Sequence, residues 1–567
     1  MLKRLSGIRP NFFYLVLFRV LNALVVDTYF NPDEFWQGPE VAHNMVFGYG
    51  HLTWEWRARA KLRGAAHPFL FFAIPYKMLA LLGLDSPALV AYLPRVIQGV
   101  VAAVGDYYTY YLALKIFGRE SASWALFCSV CSWFNFFCTV RTFSNSVESV
   151  VTVVSLFHWP LGAKRGAGDQ GVESYVKALF FAGFAVILRP TSGVVWVYIA
   201  LTEMVGMRNW IDRFNFVLKL ALPMAFGLLL LSLAIDRVFY GEWTFVIWNF
   251  LEFNVFKGLD KLYGTHPFYW YFTEGFTTVL GVFVPFLLHG IRKAWALPRE
   301  DASQRDAGRG DPRVLGYAML WAMIIYSFGG HKEFRFVLPL LPMALVYCGY
   351  ALDVICRAAS KWKEKSPSPA AVQWGQRSVA VIVAVNAVMA AYLSFVHQKS
   401  PISVMRFLRN EGISNSRDLK RVHFLMPCHS TPYYSHLHRN VPMWFIDCSP
   451  PYMVEPPSAR RDLQQVKYFE RNPLAFVNEI YSSVEKGGET DPAISTEGVW
   501  VKWKHHELPS HMVTFDSFER SLLPFFQRHG YEKVTSLFHS HLKGDADASE
   551  HHGYASIWYR KSRKRTG

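Results

Sequence analysis

Five groups of polar residues in this chain carry the side-chain types that move protons or hold anions. The first is Asn31-Pro32-Asp33-Glu34, two adjacent carboxylates behind a proline that presets a turn. The second runs from Arg141 through Asn145 to Glu148, and the third is Arg189-Pro190-Thr191. The fourth is Tyr263-Gly264-Thr265-His266-Pro267, and the fifth is Gly329-Gly330-His331-Lys332-Glu333-Phe334-Arg335-Phe336. A carboxylate can take a proton from a hydroxyl, while arginine, lysine and histidine can steady an oxyanion or hold a phosphate. Together they suit a transfer from a lipid-borne donor to a polar acceptor. Each group also has a plainer reading. Asp33-Glu34 could be a polar turn, Arg141 and Glu148 a pair closing two helix ends, and Arg189 a snorkelling residue in a hairpin. His266 could simply be solvated, and the fifth group an ordinary charged loop.

All five groups border apolar runs, so the membrane is the element that must position them. Apolar residues make up 52% of the chain and charged residues only 18%, and the apolar ones gather in residues 11–397. Candidate spans fall at roughly 11–26, 67–84, 88–104, 106–117, 121–139, 147–163, 177–188, 191–205, 214–237, 276–291, 314–329, 335–356 and 378–397. The pair 88–104 and 106–117 could equally be one long helix. The expected fold is a polytopic α-helical membrane protein of about 13 transmembrane helices (domain 1–397). A mixed α/β domain follows at 398–567.

The net charge of +16 does not point to nucleic acid, because the basic residues lie mainly in loops between apolar runs. Loops 163–177, 206–213, 291–313 and 357–377, with the basic N-terminal tail, are assigned to the cytosolic side. The opposite side then receives 30–66, 240–272, 329–335 and the whole C-terminal region, so every chemical group falls on one face. The first run contains Arg19 and no small-residue cleavage site, which favours a retained span over a signal peptide. The segment after Glu34, a mixture of aromatics with His43, His51, Glu55 and Arg57, reads as an amphipathic interfacial helix.

In the C-terminal region, 422–427 and 441–446 read as buried strands. Cys428 and Cys448 follow them and could form a disulfide. A metal held by Cys428, His429, His436 and His438 is the sharper alternative, but the spacing matches no standard zinc pattern and no metal is expected. Cys128, Cys131, Cys138, Cys348 and Cys356 read as reduced packing residues. No P-loop and no H-E-x-x-H occurs, and no D-x-D pair falls among the five groups.

Asn31-Pro32-Asp33-Glu34 resembles the H/N-P-D-E motif of the dolichyl-phosphate-mannose-dependent mannosyltransferases of GT-C type. Trp54-Glu55-Trp56, Arg141-Thr142-Phe143-Ser144-Asn145, the Tyr263–Pro267 group and Gly330 to Phe336 are similar to further motifs of that family, in the same order. Within the family, Leu425-Met426-Pro427-Cys428-His429-Ser430 and Asp447-Cys448-Ser449-Pro450 resemble the members that add the third, α1,2-linked mannose to the glycosylphosphatidylinositol (GPI) precursor. Asn31 departs from the histidine many members carry there.

The resemblance implies transfer of mannose with inversion from dolichyl phosphate mannose to a mannosylated GPI lipid precursor. The enzyme would be multi-pass in the endoplasmic reticulum (ER) membrane, with active site and C-terminal domain in the lumen. It implies Asp33 as base and Glu34 as second choice. Arg141, Arg189, His266, His331, Lys332 and Arg335 become candidates for donor phosphate and substrate. Trp54, Glu55, Asn145, Glu148 and Glu333 are assigned to acceptor or structure. With cations beside the leaving phosphate, no cofactor or metal is expected. An α1,2-mannosyltransferase for the dolichol-linked oligosaccharide is the nearest alternative, and a polytopic lipid transporter or scramblase the non-enzymatic one.

Overall fold

The computed structural model describes residues 9–57, 60–161, 169–207, 209–297, 310–365, 369–414, 417–450, 465–482, 507–541 and 553–561. Residues 1–8 and 562–567 of the basic tails, and 162–168, 298–309 and 366–368 of the basic loops, lie outside the described residues. Apolar runs this long form helices because lipid offers the backbone no hydrogen-bond partner. Among the described residues, Pro87–Phe117, Gly171–Leu188, Trp210–Tyr240, Tyr271–Trp295 and Phe334–Ala358 are long and apolar enough to cross a membrane. Shorter apolar helices occur at Phe12–Val25, Ala66–Leu81, Val246–Phe256 and Val314–Ser327. The stretch 88–117 is one helix, Pro87–Phe117, which tolerates Pro94 in its interior.

The chain divides into two compact units. The first comprises Met1–Val26, Leu62–Phe71 and Pro94–Tyr392. Its helix Phe334–Ala358 has 89% of its apolar window buried and is central, whereas Trp210–Tyr240 has 17% and presents its surface outward. Small residues let the helices approach closely: a Cβ on Gly349 would lie 2.3 Å from the Ala125 amide nitrogen. Charge inside this unit is neutralised where it lies. Arg19 is fully buried and donates from Nε and Nη2 to Asp106 at 2.6 and 2.9 Å. The Ser129 hydroxyl donates to the same carboxylate at 2.6 Å. A buried pair survives in this setting only when its remaining hydrogen-bonding capacity is also met.

The second unit comprises Asp27–Lys61, Phe72–Leu93 and Leu393–Gly567. It holds a five-stranded sheet made of β1 (Val422–Leu425), β2 (Met443–Phe445), β3 (His511–Phe515), β4 (Tyr531–Ser540) and β5 (Gly553–Arg560). The strand order is β2-β1-β3-β5-β4. β1 runs parallel to both β2 and β3, with Val422 opposite Met443 and His511, while β5 is antiparallel to β3 and β4. Tyr29, Phe35 and Trp36 belong to the same core as Phe424, Tyr433 and Phe445. The segment 35–57 is therefore not an amphipathic helix lying in the interface. It forms a helix at Pro39–Phe47, with Glu40, Val41, Ala42 and His43 all fully buried, then a single 3-10 turn at Trp54–Trp56. Gly48, at φ 75°, ends the helix.

Candidate active site

In the second unit the two carboxylates open a one-turn helix, Asp33–Trp36. Asn31 builds that turn: its Oδ1 accepts the Asp33 amide at 3.0 Å and its carbonyl accepts the Glu34 amide at 3.2 Å. Asparagine suits this Asx geometry. Asp33 is partly exposed and Glu34 buried, and both act electrostatically on the Tyr29 hydroxyl, as does Glu40. Phe35 and Trp36 anchor the turn. The Trp36 indole donates to the Thr431 carbonyl at 3.1 Å and packs 4.8 Å from the His429 ring. Trp54 and Glu55 are buried nearby in sequence, and Glu55 accepts from Gln37 Nε2 at 3.3 Å.

The loop after β1 is closed by a disulfide between Cys428 and Cys448. The Cys428 sulfur that a metal would use is thus bonded to Cys448, and the metal alternative loses one of its four ligands. His429 and His438 both adopt left-handed backbone conformations, φ 58° and 45°. Non-glycine residues hold such angles only where their surroundings fix them. Desolvation pushes His429 down to about 4, against the opposing pull of Asp33. Burial, then the His438 charge, pushes His43 down to about 3. His43 Nε2 lies 2.9 Å from His438 Nδ1, so the two rings share one hydrogen bond and stay neutral together.

Glu40 carried no signal in the sequence beyond being one more acidic residue, yet it fastens this loop. Its carboxylate accepts the Tyr433 amide at 2.7 Å, the Ser435 amide at 3.2 Å, and the Ser435 hydroxyl. Burial raises it to about 7 in spite of these donors.

The cationic groups lie in the first unit and converge. Arg335 donates to Glu333 from Nε at 2.6 Å and Nη2 at 2.7 Å, a two-pronged contact, and from Nη1 to Asn145 Oδ1 at 3.4 Å. His331 Nε2 lies 2.9 Å from the same Glu333 carboxylate. Burial alone would raise Glu333, but Arg335 and His331 together hold the carboxyl well below its ordinary range. Arg189 pairs with Glu148 at 3.3 Å and donates to Ser144 Oγ at 3.2 Å. The plainer reading joined Glu148 to Arg141; in the structure Glu148 meets Arg189, while Arg141 Nε donates to the Phe137 carbonyl at 2.9 Å. The reason is local geometry, since the helix Ser144–His158 carries Glu148 one turn past its start.

Lys332 is buried and its ammonium donates to the carbonyls of His266 and Gly329 at 3.0 and 2.5 Å. His266 is itself exposed, its ring stacked near Trp270 at 4.7 Å. Asp260, which sequence reading passed over, orders this loop by accepting the amides of Gly330 and His331 at 2.8 and 3.2 Å. The arrangement can hold negative charge through Arg335 and its neighbours without any of them being left as an isolated buried ion.

Comparison with known proteins bears on both units. The chain is 38% identical over 556 residues to Mannosyltransferase APTG1 of Arabidopsis thaliana, covering 96% of this chain and 91% of the relative. It is 35% identical over 537 residues to GPI alpha-1,2-mannosyltransferase 3 of Homo sapiens, covering 93% and 84%. Against GPI mannosyltransferase 3 of Yarrowia lipolytica the identity is 34%, covering 94% of each chain. Its fold is similar to that of ArnT from Cupriavidus metallidurans bound to undecaprenyl phosphate, with a TM-score of 0.54 at 13% identity over 97% of each chain. That likeness shows a GT-C-like fold. The Alg9-like mannosyltransferase pattern matches residues 11–438, which takes in the carboxylate turn, Arg189 and Arg335 with their carboxylate partners, and the first half of the disulfide-closed loop. On that extent of agreement the chain belongs to the Alg9-like mannosyltransferase family.

Proposed function

We propose that this glycosyltransferase adds the third, α1,2-linked mannose to the GPI-anchor precursor, taking it from dolichyl phosphate mannose on the lumenal side of the ER membrane. The observation that carries the reading is agreement over nearly the whole chain with relatives named GPI alpha-1,2-mannosyltransferase 3, including the Cys428–Pro450 region. The proposed topology has about thirteen spans, with loops 30–66, 240–272 and 329–335 and the C-terminal region lumenal.

The donor linkage is β and the product α, so one in-line displacement with inversion accounts for the stereochemistry. An acceptor mannose hydroxyl attacks the anomeric carbon, its proton passes to a carboxylate, and dolichyl phosphate leaves. Asp33 is the proposed base, because it is the partly exposed member of the pair, and Glu34 supports the turn. The leaving phosphate needs positive charge and no acid, a role proposed for Arg335 with Arg189, Arg141 and His331 around it. Lys332 and His266 are proposed to shape the loop that presents them.

The reaction is proposed to need no metal. The chain does contain one D-x-D pair, Asp545-Ala546-Asp547, which lies outside the described residues, so a chelator experiment tests it directly. Transfer should survive chelation, and loss of activity restored by one divalent ion would overturn the proposal. The function itself is tested by complementing cells that lack one mannosyltransferase at a time and reading the lipid intermediate that accumulates. Rescue of the GPI third-mannose defect is expected, and Asp33→Asn should abolish it. Rescue only of oligosaccharide assembly would transfer the enzyme to the sister pathway.

A further inference from the structure

Asn145 is one of the few polar side chains in the first unit whose two ends differ in their bonding. Its residue is 1% exposed. Its Oδ1 accepts from Arg335 Nη1 at 3.4 Å, and because a guanidinium only donates, this contact fixes which end of the amide is oxygen. The opposite end, Nδ2, is buried and meets no hydrogen-bond partner among the described residues. A buried NH2 left in that state is costly, and the amide cannot flip to relieve it without setting its donors against those of Arg335.

The surroundings say what kind of atom the amide awaits. Arg335 is held against Glu333 by two hydrogen bonds and stacks 5.2 and 5.4 Å from the rings of Phe143 and Phe336. Arg189 also lies over Phe336, at 5.4 Å. Two guanidinium groups thus flank one aromatic ring beside the amide, and each is already steadied by a carboxylate, Glu333 for one and Glu148 for the other. The partner that satisfies an N–H donor in this field is an anionic oxygen.

We propose that Asn145 is a ligand of the polyprenyl-linked phosphate, its Nδ2 donating to a phosphate oxygen while Arg335 holds the amide in the orientation that makes this possible. The inference rests on the reading above that the donor is a polyprenyl phosphate sugar, and it adds a neutral donor to a site otherwise described by its cations. Negative charge grows on the phosphate as it leaves, so the same hydrogen bond serves the bound donor and the departing group alike.

The test measures binding directly, so that it does not depend on transfer. A short-chain polyprenyl phosphate is titrated onto the purified full-length protein in detergent, with inorganic phosphate in a parallel arm, for wild type, Asn145→Asp and Asn145→Leu. Asn145→Asp keeps an oxygen for Arg335 but puts a charged oxygen where the donor was, while Asn145→Leu removes the donor without adding charge, so a contact to phosphate requires a loss in both. Both variants should weaken polyprenyl phosphate at least tenfold and raise the KM for the mannosyl donor in step, leaving the KM for the acceptor within twofold. Unchanged affinity in Asn145→Asp, or a rise in acceptor KM alone, overturns the assignment. Equal losses for inorganic phosphate place the contact on the phosphate group itself, as proposed; a loss confined to the lipid form overturns it. Should the protein bind polyprenyl phosphate through Asn145 yet fail to rescue the GPI defect, the functional reading falls and this assignment stands.

Discussion

The Glu40 carboxylate accepts hydrogen bonds from both the backbone amide and the hydroxyl of Ser435, a residue 395 positions away in the chain. One side chain thereby ties the helix behind Asp33 to the loop that the disulfide closes. The same loop also meets the turn through the Trp36 indole, which donates to the Thr431 carbonyl.

Replacing Glu40 tests the tie. Glu40→Ala leaves three buried donors, the amides of Tyr433 and Ser435 and the Ser435 hydroxyl, without their acceptor. At about 1–3 kcal/mol for each unsatisfied group, the unit should lose several kcal/mol, seen as a large drop in the thermal midpoint. Glu40→Gln keeps one acceptor oxygen and should lose markedly less. Equal midpoints for both variants and wild type would show that the loop is held by something else.

Acid should destabilise the second unit. His43, His429 and His511 sit at about 3, 4 and 4 when folded, each lowered chiefly by desolvation. The unfolded chain binds those protons near 6.5, so it holds more protons than the folded one in between, and stability falls as pH drops through that window. Glu40 works in the opposite sense: at about 7, it holds its proton more tightly when folded, so its contribution falls as pH rises from about 4.5 to about 7. Three histidines against one carboxylate give a net loss on acidification. The thermal midpoint should be lower at pH 5 than at pH 7, and Glu40→Gln should steepen the decline. A midpoint that rises toward pH 5 would contradict the assignment.

The Arg335 guanidinium should not be replaceable by lysine. An ammonium cannot make both contacts to Glu333 and still reach Asn145. Arg335→Lys should lower kcat/KM about a hundredfold in a transfer assay with purified protein, and Glu333→Gln should follow it by loosening the same contact. Retained kcat/KM in Arg335→Lys would mean that charge alone matters there.

At the turn itself, Asn31→Ala removes the oxygen that receives the Asp33 amide. It should cost about 1 kcal/mol of stability, the usual worth of such a cap, and reduce turnover by misplacing Asp33. Asn31→His should keep activity within about threefold by the family's own usage of that position. Differential scanning fluorimetry and the transfer assay read the two effects separately.

What could be read from the chain beforehand divides along physical lines. Apolar run length and the motif order announce a polytopic transferase, because both are local properties of the sequence. The Asn31–Glu34 turn is local too, and its proline and asparagine advertise it. Glu40 and Asp260 gave no such notice, since their partners lie at Ser435 and at Gly330 and only folding brings them together. The exchange of Arg141 for Arg189 as the partner of Glu148 is of the same kind: proximity in sequence favoured one arginine, and helix packing selected the other. The interfacial-helix reading of 35–57 also failed, because Phe35 and Trp36 belong to the core of the second unit and only Pro39–Phe47 is a helix of any length.

The Arg19–Asp106 pair has a consequence for how the protein is made. The opening helix leaves the ribosome carrying a guanidinium whose counter-ion is 87 residues downstream and still untranslated. An arginine at such a depth costs roughly 2.5–3.5 kcal/mol on insertion. Meeting the helix that bears Asp106 relieves that cost, so the two helices suit the bilayer best as a neutral couple.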